Sequence, residues 1–147
     1  NYKNEPLWAY YGNNHEGFCI EYDLDLLLTS YKDQPIYKTK VVYSQTRPQI
    51  TTKDMNDLRK GKTDSLIQKL LGTKSSRWGN EEEIRLISDY PGLNKIHPDA
   101  ITAVYLGHKM KKSRKRKLLK ELLGSKVKIF QMMPDELNYG LKEEQIQ

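Results

Sequence analysis

The chain reads GFCIEYDLDLLLTSY from Gly17 to Tyr31, and this stretch decides the fold class. In its first seven residues apolar side chains alternate with others, a period of two that predicts a β-strand with one buried face. Asp23 is a suitable cap for a following helix, because the apolar residues from Leu24 to Tyr31 recur at helical spacing. A strand that passes directly into an amphipathic helix indicates a domain built from both kinds of element.

The remaining predicted elements show the same two periodicities. They are strands at residues 37–43, 82–88, 100–106 and 126–132, a short edge strand at 137–141, one interrupted helix or two short helices over 52–71 with a break at Gly61, and a helix over 112–123 closed by Gly124. The sequence therefore predicts an α+β fold, with a mixed sheet of about five strands and about three helices. A chain of 147 residues without an internal repeat or linker is expected to form a single domain over residues 1–147.

Composition excludes several classes of protein. Hydrophobic residues make up 37% of the chain and charged residues 30%, which favours a globular body over a disordered or collagen-like one. No segment approaches the roughly 18 apolar residues of a membrane helix, and the first residues lack the pattern of a signal peptide. We therefore expect a cytoplasmic protein without a membrane partner.

The metal-binding and thiol residues are few and scattered. Cys19 is the single cysteine, so an internal disulfide is excluded. His15, His97 and His108 lie too far apart in the sequence to propose a metal site. No metal cofactor is expected.

The first candidate site is the aromatic turn LWAYYGNNHEGF at residues 7–18. Its aromatic side chains lie beside a turn-forming Gly-Asn-Asn sequence, an arrangement that could hold a planar ring such as nicotinamide or a base. In the alternative interpretation, Trp8 and Tyr11 belong to the core and His15 is an exposed turn residue. Residue types alone favour this alternative, because aromatic side chains mostly supply buried area.

The second candidate site lies in KSSRWGNEEEIR at residues 74–85. In an extended chain Glu81, Glu83 and Arg85 would share one face, because alternate residues point the same way. Two neighbouring carboxylates in a cleft would raise one carboxyl pKa, and a carboxylate there could stabilise an oxocarbenium-like transition state. The alternative is a solvated strand face with a weak ion pair, and the residues alone favour it.

The third candidate site is basic. Residues 109–120 contain eight Lys or Arg and no acidic residue, more positive charge than the net +6 of the whole chain. Such a patch could contact the phosphates of a nucleic acid or a dinucleotide, or it could be an ordinary solvated helix surface. The candidate anion-binding residues are Lys111, Lys112, Arg114, Lys115, Arg116 and Lys117.

The first two candidate sites together resemble a widespread bacterial and phage-borne domain family of unknown function. The matching elements are Leu7–Tyr11, His15–Gly17, Lys74, Trp78, the Glu-x-Glu-x-Arg of residues 81–85, and the apolar strand Ala103–Gly107. Members of that family usually carry a further segment before the Leu-Trp motif. The resemblance therefore implies that this chain corresponds to the C-terminal two-thirds of a longer domain.

More distantly, the arrangement is similar to ADP-ribosyltransferases, in which a Glu-x-Glu strand supplies the catalytic carboxylate. The resemblance implies that NAD is the substrate, that Glu83 stabilises the ribosyl cation and that Glu81 orients the acceptor. The implied catalytic residues are Glu83, Glu81 and Arg85, and the implied cofactor-binding residues are Trp8, Tyr11 and His15. This interpretation leads to a bacterial toxin or phage-defence domain. The alternatives are a nucleic-acid-binding module that uses residues 109–120 and a non-catalytic interaction domain.

Overall fold

A computed structural model describes residues 1–146 of the chain. The helices and strands follow one another along the whole of this range. In chain order they are α1 (Glu5–Tyr10), β1 (Phe18–Tyr22), α2 (Leu24–Thr29), β2 (Ile36–Lys40), β3 (Val42–Ser44), α3 (Thr52–Arg59), α4 (Asp64–Leu71), β4 (Thr73–Ser75), β5 (Ile84–Ser88), β6 (Ile101–Leu106), α5 (Lys112–Glu121), β7 (Lys128–Pro134) and β8 (Leu141–Gln145), with short 3₁₀ helices at Ser76–Glu81 and Pro98–Ala100.

The contacts within the chain divide it into two compact units. Unit 1 combines Asn1–Asp33 with the chain from Gly92 onward, and unit 2 is Gln34–Pro91. Unit 2 is therefore an insertion, in sequence, between the two parts of unit 1. The expectation that residues 1–147 form a single domain stays a prediction.

Unit 1 is built on a four-stranded mixed sheet in the order β1-β6-β7-β8. β6 and β7 are parallel, with α5 in the connection between them, whereas β1 pairs with β6 and β8 pairs with β7 in antiparallel fashion. A parallel pair requires such a crossover, and a helix is its usual form. β6 is buried on both sides, as expected for a central strand with an almost unbroken apolar sequence.

Each face of this sheet carries its own core. On one face Trp8 and Tyr105 pack with Ala103, Met132 and Leu141. On the other face α5 covers β6 and β7, and the fully buried side chains there are Leu106 and Ile129. Burial of apolar area on both faces stabilises the unit, because each buried aliphatic side chain contributes roughly 1.5–3 kcal/mol.

Unit 2 contains two short sheets and two helices. β2 pairs with β5 antiparallel, and β3 pairs with β4 parallel. The buried Asp54 joins α3 to α4, because its carboxylate accepts hydrogen bonds from the Thr51 backbone, from Ser65 at 3.0 Å and from Lys69 at 2.6 Å. These bonds hold the pKa of Asp54 far below its usual value, so the carboxylate is ionised in the folded protein.

The α+β class and the mixed sheet are confirmed, and several details differ. The stretch 37–43, predicted as one strand, is split at the buried Val41 into β2 and β3, which belong to different sheets. The predicted five-stranded sheet is thus a four-stranded one accompanied by two pairs. β7 runs through Pro134 rather than stopping before it, and the last strand is β8 rather than residues 137–141.

Candidate functional site

The charged residues predicted at 81–85 form a compact group in unit 2, which we call the Lys74 cluster. It comprises Lys74, Trp78, Glu81, Glu83 and Arg85. The Lys74 ammonium group donates a hydrogen bond to the Glu81 carboxylate and lies 3.6 Å from Oε2 of Glu83. The same ammonium group lies 5.0 Å from the centre of the Trp78 ring, within the range of a cation–π contact. One cation therefore bridges two carboxylates beside an aromatic face.

Arg85 also binds the Glu83 carboxylate. Its Nε donates to Oε1 of Glu83 at 2.6 Å and its Nη2 donates to Oε2 at 3.1 Å, a bidentate pair. The hydrogen bonds from Arg85, together with the charge of Lys74, lower the pKa of Glu83, and the same contact raises the pKa of Arg85. We expected one of the two carboxyl pKa values to be raised. The pKa of Glu83 is instead lowered, because the hydrogen bonds and charges of the two cations outweigh its desolvation.

A backbone turn brings the two carboxylates together, whereas the sequence predicted that they would be alternate residues of one strand. Glu81 ends a 3₁₀ helix and Glu82 is left-handed at φ 49°, so the strand begins only at Ile84 and not at residue 82. The prediction that Glu81, Glu83 and Arg85 share one strand face is therefore wrong. Their proximity comes instead from the turn at Glu82 and from the shared contact with Lys74 on β4.

The two carboxylates differ in accessibility. The Glu81 side chain is 5% exposed, whereas that of Glu83 is 29% exposed. The Glu83 backbone N–H also donates to the Tyr43 hydroxyl at 3.0 Å, which fixes the start of the strand. Glu83 can therefore meet a bound molecule, and Glu81 serves to hold Lys74 in place.

Lys74 also lines a polar cavity of about 350 Å³ in unit 2. A second cation, Arg47, also lines it together with Gln45 and Pro48. The other wall residues carry hydroxyl groups: Ser44, Thr46, Thr73 and Ser75. Two cations and several hydroxyl groups form a donor set that suits phosphate oxygens. Arg47 was not among the predicted site residues. Its sequence context, one basic residue in a turn-forming stretch before Pro48, gives little indication of a binding role.

The aromatic turn lies in unit 1. Trp8 is 3% exposed and its Nε1 donates to the Tyr2 carbonyl at 2.7 Å, so it is a core residue. Tyr11, by contrast, is 67% exposed and lines a small cleft of about 190 Å³ with Trp8 and Cys19. The role of Trp8, Tyr11 and His15 in binding a cofactor stays a prediction.

His15 contacts a second histidine that the sequence did not single out. The rings of His15 and His108 are 4.5 Å apart, and the buried Nδ1 atom of each has no hydrogen-bond partner among residues 1–146. Burial lowers the pKa of both rings, with a further contribution from the positive charge of Lys109, partly opposed by Glu5. Both imidazoles are therefore neutral at physiological pH.

The basic segment forms the exposed helix α5 of unit 1, as predicted. The Lys115 ammonium group donates to Oε1 of Gln131 at 2.8 Å, so this candidate is turned toward the sheet. The other candidates are exposed. They are Lys111, Lys112, Arg114, Arg116 and Lys117.

Residues 1–146 contain neither a group of metal-ligating side chains nor a membrane-spanning helix. No three His, Cys, Asp or Glu side chains in that range are grouped so that they could bind a metal ion. None of its helices has the length and hydrophobicity that crossing a bilayer requires.

A sequence family described as "Protein of unknown function (DUF2971)" matches residues 7–86, more than half of the chain. The chain belongs to this family. The DUF2971 match includes the aromatic turn and the Lys74 cluster, and the apolar strand that ends at Gly107 lies outside it. No curated protein and no solved structure matches the chain.

Proposed function

We propose that this DUF2971 domain is an NAD-dependent ADP-ribosyltransferase whose active site is the Lys74 cluster with its adjoining polar cavity. The observation that supports this proposal is the position of Lys74. It lies against the Glu83 carboxylate and also in the wall of a cavity rich in hydroxyl groups and cations. A dinucleotide has the matching chemistry, because its pyrophosphate needs cations and its reacting ribose needs a carboxylate. The setting we propose is a bacterial toxin or phage-defence system.

Each residue has a distinct role in this proposal. Lys74 and Arg47 bind the pyrophosphate, and the exposed face of Trp78 packs on the nicotinamide ring. The bond between the ribose anomeric carbon and the nicotinamide nitrogen breaks, and its electron pair leaves with nicotinamide. The ionised Glu83 carboxylate stabilises the ribosyl cation, which the acceptor's nucleophile captures with loss of a proton to solvent.

In this proposal two residues have roles other than those implied by the family resemblance. Glu81 is too buried to orient an acceptor, so we assign it the positioning of Lys74. Arg85 contacts both oxygens of the Glu83 carboxylate, and we assign it a positioning role too. Its effect is to keep Glu83 ionised, which a cation-stabilising carboxylate requires.

The test is the release of nicotinamide from NAD by the purified chain, measured by liquid chromatography with water as acceptor. We expect Glu83→Gln to reduce the rate by about 100-fold, the usual loss when one electrostatic stabiliser of a transition state is removed. Glu82→Gln, the same change at the exposed neighbour, is the matched control and should stay within about twofold of the unmodified chain. Absence of nicotinamide release, or equal rates for both variants, would reject the proposal.

The aromatic partner of nicotinamide can be identified in the same assay. Trp78→Ala should raise the KM for NAD, because it removes the proposed stacking surface within unit 2. Tyr11→Ala tests the assignment that came from the family resemblance. A rise in KM for Tyr11→Ala alone would transfer the nicotinamide contact to the aromatic turn.

A second candidate function, nucleic-acid binding, is favoured by one feature of α5. Lys112, Arg116 and Lys120 are exposed and follow a spacing of four residues, which puts them on one side of the helix. Such a row suits consecutive phosphates. If it binds nucleic acid, the logarithm of the affinity for a duplex oligonucleotide should fall with the logarithm of salt concentration with a slope of about −3. A flat response would exclude this function.

A further inference from the structure

Unit 1 contains an apolar cleft of about 340 Å³ between α5 and the β1 side of the sheet. It is distinct from the Lys74 cluster, which belongs to unit 2. Almost all of the surface inside it is apolar. Its apolar walls are formed by Phe18, Ile20, Ile101, Val104, Leu118 and Leu122.

The cleft exists because α5 covers only part of this face of the sheet. Leu118, Leu119 and Leu122 pack on the core of β6 and β7. β1 lies at the edge of the sheet beyond them, and its Phe18 side chain remains 45% exposed. A concave apolar surface with a few polar groups at its edge is the usual form of a small-molecule site.

The rim of the cleft is charged on the side of α5. Arg114 and Lys117 line it one helical turn apart, and Glu121 follows one turn further along. The rim therefore carries a net positive charge, with its cations toward the start of the helix. An anionic group would be attracted to the end near Arg114 and repelled from the end near Glu121.

We propose that this cleft binds a soluble amphipathic anion, an unbranched aliphatic chain that ends in a carboxylate. The aliphatic chain would bury against Ile20 and Leu118, since a wall without polar groups offers no partner to a polar ligand. The carboxylate would accept hydrogen bonds from Arg114 and Lys117. A nucleobase fits less well, because the polar atoms at its edge would lose hydrogen bonds to water in this cleft. The volume of the cleft is in the range of small-molecule sites.

To test this proposal, the whole chain is titrated with decanoate at concentrations below those at which decanoate forms micelles. Binding is followed by calorimetry. We expect saturable binding of one decanoate. Arg114→Gln/Lys117→Gln should weaken it by about tenfold, as expected for the loss of charge-assisted hydrogen bonds to one carboxylate. The matched control is Arg116→Gln/Lys120→Gln, which removes the same charge from the same helix away from the cleft and should change the affinity less than twofold.

A third variant tests the apolar part of the site. Ile20→Gln puts a polar group on the cleft wall at the edge strand and should weaken decanoate by a further tenfold or more, with circular dichroism confirming that the fold is retained. Decanol and decyltrimethylammonium should bind at least tenfold more weakly than decanoate, because they lack the anion.

Three results would overturn the proposal. The first is equal affinity for decanol, which would leave the cations without a role. The second is an equal loss of decanoate affinity in the control double variant, which would indicate that decanoate is attracted to the overall charge of α5. The third is binding to anionic phospholipid vesicles or to a single-stranded oligonucleotide without binding to decanoate, which would assign this face to a membrane or a nucleic acid.

Discussion

Replacing Gly107 with alanine should destabilise unit 1 by about 3 kcal/mol, a large value for the addition of one methyl group. A Cβ atom at this position would lie 2.1 Å from the His15 carbonyl oxygen and 2.6 Å from its carbon. Both are backbone atoms, so no rotamer change can relieve the clash. The turn is also tied at this point, since Gly107 N–H donates to the Gly17 carbonyl and Lys109 N–H donates to the His15 carbonyl.

Urea unfolding followed by the fluorescence of Trp8, in a Trp78→Phe background, measures this effect within unit 1. Gly79→Ala is the comparison for the cost of the substitution itself, because nothing lies within 4 Å of a Cβ atom there; since Gly79 lies in unit 2, its unfolding is followed by circular dichroism. We expect the control to change the free energy of unfolding by less than about 0.5 kcal/mol. Equal midpoints for the two variants would contradict the close approach of residues 15 and 107.

Replacing Lys74 with methionine should destabilise the folded chain by about 3 kcal/mol at neutral pH. The Glu81 carboxylate, with a side chain only 5% exposed, would lose its contact with the ammonium group. Breaking a buried pair from one side costs more than removing both partners, because a charge is left in a poorly hydrated place.

The double variant Lys74→Met/Glu81→Gln provides the measurement. We expect it to recover at least about 1 kcal/mol of the loss, since the charge that needed compensation is gone. Chemical denaturation followed by circular dichroism gives the free energies for the four members of this cycle. Additive losses would mean that Lys74 and Glu81 do not interact. The double variant should still lack NAD-dependent activity under the proposed function, because Lys74 is absent.

The local pattern of residues predicted the elements that have a clear period. β1, α2 and β6 match their predicted ranges to within a few residues, because burial on one or both faces leaves a regular trace in the sequence. α1 was not predicted, although Asn4 and Pro6 are helix-start signals, because Leu7–Tyr11 is an unbroken run of apolar and aromatic residues that shows no period. β4 was not predicted because three residues are too few to establish a period, and β3 was included in the single strand predicted at 37–43.

The candidate site could be predicted as a set of residues but not as a geometry. Glu81 and Glu83 do lie near one another, yet the left-handed backbone at Glu82 has no sequence signal, since glutamate rarely adopts it. Lys74 was recognised only as part of a motif, and its central position depends on β4 pairing with β3. Pairing between distant segments is a tertiary property that periodicity within one segment does not report.

The aromatic turn illustrates a different limit. Asn13, Asn14 and His15 are all left-handed, which no non-glycine stretch adopts without cost. Asparagine tolerates this conformation best, so the turn prediction from Gly-Asn-Asn was justified. The identity of the second chain segment that packs against it, at Gly107 and His108, could not be predicted from residues 7–18.

The insertion of unit 2 within unit 1 has a consequence for synthesis. β1 pairs with β6, and about 80 residues must be translated after β1 before that partner exists, which takes several seconds at a rate of roughly 5–20 residues per second. Residues 34–91 leave the ribosome during this delay and contain all of their own strand partners. Unit 2 can therefore fold cotranslationally before β6 has been synthesised. During this time the hydrophobic face of β1 stays exposed, and β1 is where a chaperone would be needed most.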